Sequence, residues 1–186
     1  MDECLTTQTA TAAEIDVGTI ALQPNTPNQI VRLLVSGGDA VTGFNLRAEI
    51  GDGVNPAPVF QAISFACSIW DAYPNTTTGA LVSGYEEYAQ YSVAFNTNVT
   101  VPATGVLLTL TLDTTGLTTD RFYPLRLSGV ELIGANSDFP LSGGGTLAPV
   151  INNGELHVVT APEPHTLGLL VLAAISLSLR RRRHPH

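Results

Sequence analysis

The sequence predicts an all-β fold: an antiparallel β-sandwich followed by one short C-terminal apolar helix. Three observations carry this. Apolar residues recur with the period of two that belongs to strands, as in Val31-Arg32-Leu33-Leu34-Val35 and Val106-Leu107-Leu108-Thr109-Leu110-Thr111-Leu112. Clusters of Gly, Pro, Asn and Asp separate these runs. No long amphipathic helical stretch stands out before Pro162. Short strands between turn signals, with no helical crossover, make a sandwich or barrel.

Taken in order, the first strand is expected over Glu14–Leu22, ahead of the turn Pro24-Asn25-Thr26-Pro27. Gln29–Ser36 follows and stops at Ser36-Gly37-Gly38-Asp39. The alternation Phe44-Asn45-Leu46-Arg47-Ala48-Glu49-Ile50 makes the next strand, closed by Gly51-Asp52-Gly53. Val59–Phe65 is the next. Ser68–Tyr91, with Pro74–Gly79 inside it, reads as a long loop. Tyr91-Ser92-Val93-Ala94-Phe95 alternates again, with Tyr91 expected in the core. Gly105–Asp113, Phe122–Leu127, Val130–Ile133 and Glu155–Val159 complete the strands, with a further turn at Ser142–Gly145. The expected organisation is a flexible segment over 1–13, one sandwich over 14–160 and a separate tail over 161–186. A body of that length buries about two-thirds of its unfolded surface, enough for one core.

Composition excludes several classes. Only 13% of the 186 residues are charged, against about 25% in an average globular protein. Lysine is absent. A non-specific nucleic-acid binder needs a basic face to neutralise phosphates, so nucleic acid is not an expected partner. With 44% hydrophobic residues the chain does not have a disordered composition. Seventeen Gly without a period and two Cys exclude a collagen and a disulfide-dense mini-protein.

The net charge of -8 averages two unlike parts. Residues 1–161 hold four Arg against fifteen Asp and Glu, a net charge of -11. The other four Arg, Arg180, Arg181, Arg182 and Arg183, form one run near the C-terminus. Before them Leu167–Leu179 reads LGLLVLAAISLSL, with Leu167, Leu169, Leu170, Val171, Leu172, Ile175, Leu177 and Leu179 as its bulky apolar residues. It lacks the polar face of a core helix. As a helix it spans about 20 Å, short against a bilayer core of ~30 Å, so the arginines must snorkel. The positive-inside rule places the Arg run in the cytoplasm and the body outside.

Pro162-Glu163-Pro164, a short apolar span and a terminal Arg cluster, in that order, resemble the bacterial PEP-CTERM protein-sorting signal. The resemblance implies export and recognition by an exosortase, a membrane-embedded cysteine-dependent processing enzyme. The apolar span is then a transient membrane anchor that the mature protein loses. Pro162 and Pro164 hold the recognition site extended, Glu163 is its charged element, and the arginines orient it. Met1–Thr11 carries neither a basic nor an apolar leader region. A leader upstream of Met1 is therefore expected, with delivery across the inner membrane to the cell surface or beyond.

In the body, the order of Val17-Gly18 and the first strand, Gln29–Ser36, Val41-Thr42-Gly43-Phe44-Asn45-Leu46, Gly105–Asp113, Arg121–Leu127 and the closing Asn153-Gly154-Glu155-Leu156 resembles cohesin-like and carbohydrate-binding-module-like jelly rolls. That resemblance implies a non-catalytic module for another surface protein or a polysaccharide, built into an extracellular matrix. The alternative is a secreted glycan-active hydrolase on the same fold. It needs two carboxylates facing across a cleft, and Glu86-Glu87 carry no motif for it.

No catalytic residue or resident cofactor is expected. The four His include one, His157, alone on a strand, and no His or Cys spacing fits zinc. A Cys67–His157 nucleophile pair has no supporting motif. Calcium has more support, from Asp39, Asp52 and Asp138 near glycine loops, but such Asp residues more often bond their own turn. Trp70, Tyr73, Tyr85, Tyr88 and Tyr91 are a sugar platform or, more readily, packing. Cys67 is expected as a buried thiol at a strand end, with a disulfide to Cys4 left open.

Overall fold

The computed structural model describes residues 11–53, 55–73, 77–81, 88–95, 99–127, 139–140 and 146–159. Among them the chain is all β: β1 Glu14–Asp16, β2 Thr19–Leu22, β3 Gln29–Val35, β4 Gly43–Ile50, β5 Val59–Ser64, β6 Thr77–Leu81, β7 Ala89–Phe95, β8 Gly105–Asp113, β9 Arg121–Arg126, β10 Phe139–Pro140, β11 Thr146–Leu147, β12 Val150–Asn152 and β13 Gly154–Val158. A six-stranded sheet, ordered β2-β13-β9-β4-β7-β6, covers a three-stranded sheet, β3-β8-β5. β1 pairs β12, and β10 pairs β11. The expected strand at Val130–Ile133, Cys4, Asp138 and the whole tail lie outside the described residues.

The period-two reading holds on three strands. Val31, Leu33 and Val35 of β3 are buried, and so are Phe44, Leu46, Ala48 and Ile50 of β4. β8 buries Leu108, Leu110 and Leu112, and also Leu107, because a bulge between Leu33 and Leu34 of its partner shifts the register there. Burial of these aliphatic and aromatic side chains, at ~25 cal/mol per Å² of apolar surface, is what holds the sheets together.

Four expectations change. On β7 Ala89, Gln90, Ser92 and Ala94 are buried, whereas Val93 is only half-buried. The register explains this: Ala94 faces Phe44 and Ser92 faces Leu46, so small residues leave room for large ones. The stretch after Ser68 is not one loop, since β6 adds an antiparallel strand to β7. The first strand is broken at Val17-Gly18, where Gly18 takes φ +60°. Cys67 is exposed rather than buried. β5 ends at Ser64, the next residues turn (Ser68 N–H donates to Phe65 O), and Cys67 sits in that turn at φ +60°.

The sheets are antiparallel except at the chain ends. β1 runs parallel to β12, and β2 parallel to β13. Glu14 faces Val150 and Thr19 faces Glu155, so one register offset continues across the break. Both strands pass from one layer to the other at the same level, through Gly18 and Asn153. Asn153-Gly154 is thus a bend between two collinear strands, not a hairpin turn. Pairing also reaches ahead of Glu14: Val150 N–H donates to Ala13 O, and Ala13 is buried.

Candidate functional site

β9 carries the site. On one side it pairs with β13 along its length, from Arg121 opposite Val158 to Leu125 opposite Gly154. On the other it pairs with β4 only at Leu125 and Arg126. β4 stops at Ile50 because Gly51, at φ +67°, turns the chain away; its N–H donates to Pro124 O. Among the described residues no strand pairs with the rest of that β9 edge, which runs beside the turn that begins at Gly51. A cavity of about 170 Å³ lies there, lined among others by Asp52, Pro56, Arg121, Phe122, Tyr123 and Arg126. A second, of about 410 Å³, lies across β9 and is lined by Gly18, Thr19, Pro124, Arg126, Asn153, Gly154 and Glu155. Pro124 and Arg126 line both.

The side chains at the first cavity are held in place. Phe122 is 49% exposed, yet its ring is stacked on His157, with centroids 3.9 Å apart and an interplanar angle of 13°. The stack follows from the register, since Phe122 and His157 are cross-strand neighbours. His157 Nε2–H donates in turn to Asp120 Oδ1 at 2.8 Å, a bond that needs that tautomer. The Arg121 guanidinium lies 5.3 Å from the Tyr123 ring centroid, within cation–π range. Arg126 Nη1–H donates to Gly51 O at 2.7 Å. Its ladder neighbour on β4 is the buried Glu49, whereas that of Arg121 on β13 is Val158.

Among the described residues no two carboxylates line the same one of these cavities. Asp52 accepts from the N–H of Asn55 at 2.9 Å and from its Nδ2–H at 2.6 Å, which closes its own turn. Glu155 accepts from Thr19 Oγ1–H at 3.3 Å in the second cavity. Asp39, the other calcium candidate described, accepts from Thr11 N–H at 3.0 Å. No group of three His, Cys, Asp or Glu among the described residues could hold a metal. Cys67 and His157 sit on opposite layers, one after β5 and one on β13.

Of the aromatic residues named from sequence, Trp70 is fully buried against Phe44 and Tyr73, and Tyr73 and Tyr88 pack on the core. These three are packing, not a platform; Tyr85 lies outside the described residues. Phe122, the aromatic residue presented among the described ones, read in sequence only as part of a strand. Its signal was the apolar residue in an outward phase between Arg121 and Tyr123. A second exposed apolar face lies on β3, where Ile30 (58%) and Leu34 (54%) flank the exposed Arg32. No helix of the described residues is long and apolar enough to cross a membrane.

The fold places the chain among cohesin-like β-sandwiches. It is similar to the cohesin of a type I cohesin–dockerin complex from Clostridium thermocellum, at 14% identity and a TM-score of 0.63, covering 83% of this chain and 98% of that one. The seventh ScaB type I cohesin from Pseudobacteroides cellulosolvens matches at 12% identity and a TM-score of 0.63, over 82% and 96% of the two chains. The non-cellulosomal cohesin of the archaeon Archaeoglobus fulgidus matches at 16% and 0.57, over 84% and 97%. No protein-family model matches the sequence, and no curated protein does.

Proposed function

We propose that this protein is exported, sorted through its C-terminal tail by an exosortase, and works at the cell surface as a non-catalytic binding module. The observation that carries the reading is the union, in one chain, of a cohesin-like sandwich with Pro162-Glu163-Pro164, the apolar span and Arg180–Arg183. Several of the similar structures are cohesins solved with a dockerin bound. A surface protein is accordingly the partner class that the fold favours. The hydrolase alternative gains nothing from the two cavities, each of which is lined by a single carboxylate among the described residues.

The test is expression in the native host of wild type beside a Pro162→Ala, Pro164→Ala double variant, followed by intact mass of the surface product. Wild type is expected to lose Arg180–Arg183, and the variant to keep them and remain in the membrane fraction. A wild-type surface product that still ends at His186 overturns the sorting claim.

A further inference from the structure

We propose that the outward face of the three-stranded sheet β3-β8-β5 is a self-association surface, on which a second copy of this chain docks face to face. This goes beyond the reading of the sandwich as a binding module, and it holds whether or not the tail is processed.

What points outward is the first argument. On the side of this sheet away from the core, the ladder sets Ile30 beside Thr111 and Ala62, Arg32 beside Thr109 and Ser64, and Leu34 beside Val106. The layer continues sideways: Ser36 bridges Glu14, and Glu14 pairs with Val150. Among the described residues the large exposed apolar side chains are Ile30, Leu34, Phe122 and Val150, and all but Phe122 lie on this layer. An antiparallel sheet with one face in water normally alternates apolar inside with polar outside. Here the outward row of β3 is two branched aliphatic residues around one arginine. Single exposed apolar residues need no explanation, but a contiguous patch marks a contact. None of these outward positions is aromatic, which removes the flat ring that a sugar would stack on.

Charge is the second. β3, β5 and β8 together carry two charged residues, Arg32 and Asp113. The two cancel, and Asp113, at the end of β8, accepts from Gln61 Nε2–H at 2.8 Å and from Thr115 N–H at 2.7 Å. Two bodies at -11 each repel one another. A contact between them therefore needs a face without net charge and with few charges to dehydrate. The six-stranded sheet offers no such face, since Arg47, Glu49, Arg126, Glu155 and His157 alternate with its core residues. A two-fold contact uses one patch twice. This patch supplies both signs for it, with Arg32 inside and the exposed Glu14 and Asp16 of β1 along its margin.

Area is the third. At the usual rise and spacing, the seven residues of β3 run about 23 Å, and three strands with β1 and β12 beside them are about 20 Å across. Covering that face buries roughly 500 Å² on each copy and ~1,000 Å² in all, the lower end for a specific pair. Two such sheets stack ~10 Å apart with their side chains interdigitated. The geometry fits a weak, reversible dimer.

The experiment follows the full chain by sedimentation equilibrium across a roughly 100-fold concentration range, since dimerisation obeys mass action. Wild type is expected to pass from monomer to dimer, and more readily as salt rises from about 0.02 to 0.3 M and screens the repulsion. The Ile30→Glu, Leu34→Glu double variant is expected to weaken the dimer at least ~10-fold, because it forces carboxylates into an apolar contact. Thr118→Glu, Thr119→Glu adds the same charge in the exposed loop between β8 and β9 and is expected to change it less than ~3-fold. Thermal melting confirms that each variant is folded; Ile30→Thr, Leu34→Thr keeps the strand preference and serves if the glutamate pair unfolds the sheet. Concentration-dependent amide shifts are expected on β3 and β8. A wild type that stays monomeric overturns the proposal and leaves the face to a different protein or to the apolar tail. Undiminished dimerisation of Ile30→Glu, Leu34→Glu, or amide shifts on β4 and β9 instead, assigns the association to another surface and overturns it too. A dimer that weakens as salt rises does the same, since ionic pairs would then hold it. None of these outcomes bears on sorting, which the intact mass of the surface product decides.

Discussion

Gln90 places a primary amide in the core. Its Oε1 accepts from Ser92 Oγ–H at 2.8 Å, but its Nε2 is buried with no hydrogen-bond partner. An unmet buried donor costs ~1–3 kcal/mol, whereas replacing both members of a buried polar pair by apolar groups of similar shape is neutral or favourable. The Gln90→Leu, Ser92→Ala double variant is therefore expected to raise the unfolding free energy by about 1 kcal/mol, measured by urea denaturation. Ser92→Ala alone, which orphans the Gln90 oxygen as well, is expected to lower it. At the surface, Asp113 behaves differently. Hydrogen bonds from Thr115, whose N–H lies 2.7 Å from Oδ1, hold its carboxyl below the ordinary range. Its folded-state pKa is depressed, so its contribution is present above the unfolded value and lost as pH falls through the folded one. Denaturation midpoints of wild type and Asp113→Asn are expected to differ above about pH 4 and to converge below it. A gap that persists in acid would sink this assignment.

The paired breaks in the terminal strands are the feature to test among the elements. A Cβ on Gly154 would meet the Gly18 carbonyl oxygen and stand 2.8 Å from Cβ and Cγ1 of Val17. Both partners are the crossing strand itself, and Glu155 N–H donates to the same Gly18 carbonyl at 2.9 Å. Neither can move without unzipping β2 from β13. Gly154→Ala is expected to cost about 3 kcal/mol or more. Gly18→Ala meets no atom within 4 Å and carries only the left-handed backbone penalty, about 1–2 kcal/mol. Equal losses in the two variants would show that the crossing is not close-packed. The Asn153-Gly154 pair was legible as a break, because Gly and Asn disfavour regular strand. That the break is a crossing was not, since the residue that excludes a side chain at Gly154 comes from the far end of the chain. The burial of Ser92 and Ala94 on β7 has the same origin, since Leu46 and Phe44 oppose them.

For the whole molecule, charge and topology set the behaviour. A body at -11 without lysine repels itself, and salt screens that repulsion over a Debye length of ~10 Å at about 0.1 M. The body ending at Thr160 is expected to gain stability from low salt to about 0.15 M and then level off, read as the urea midpoint. A midpoint that falls with salt would mean that attractive pairs, not repulsion, dominate its surface. Val159 N–H still donates to Leu22 O, so sheet contacts run to the last described residue.

Period two and the turn residues by themselves determined the all-β class and the buried faces of β3, β4 and β8. Those are local properties: a strand that buries one face must alternate, and a chain that reverses needs residues that tolerate reversal. Tertiary structure alone decided the site. Phe122 and His157 lie far apart along the chain and stack because the β9–β13 register makes them neighbours. Arg121 and Arg126 line one cavity because Gly51 turns β4 away from β9. Which residues share a cleft depends on strand pairing between distant segments, and no local pattern encodes it.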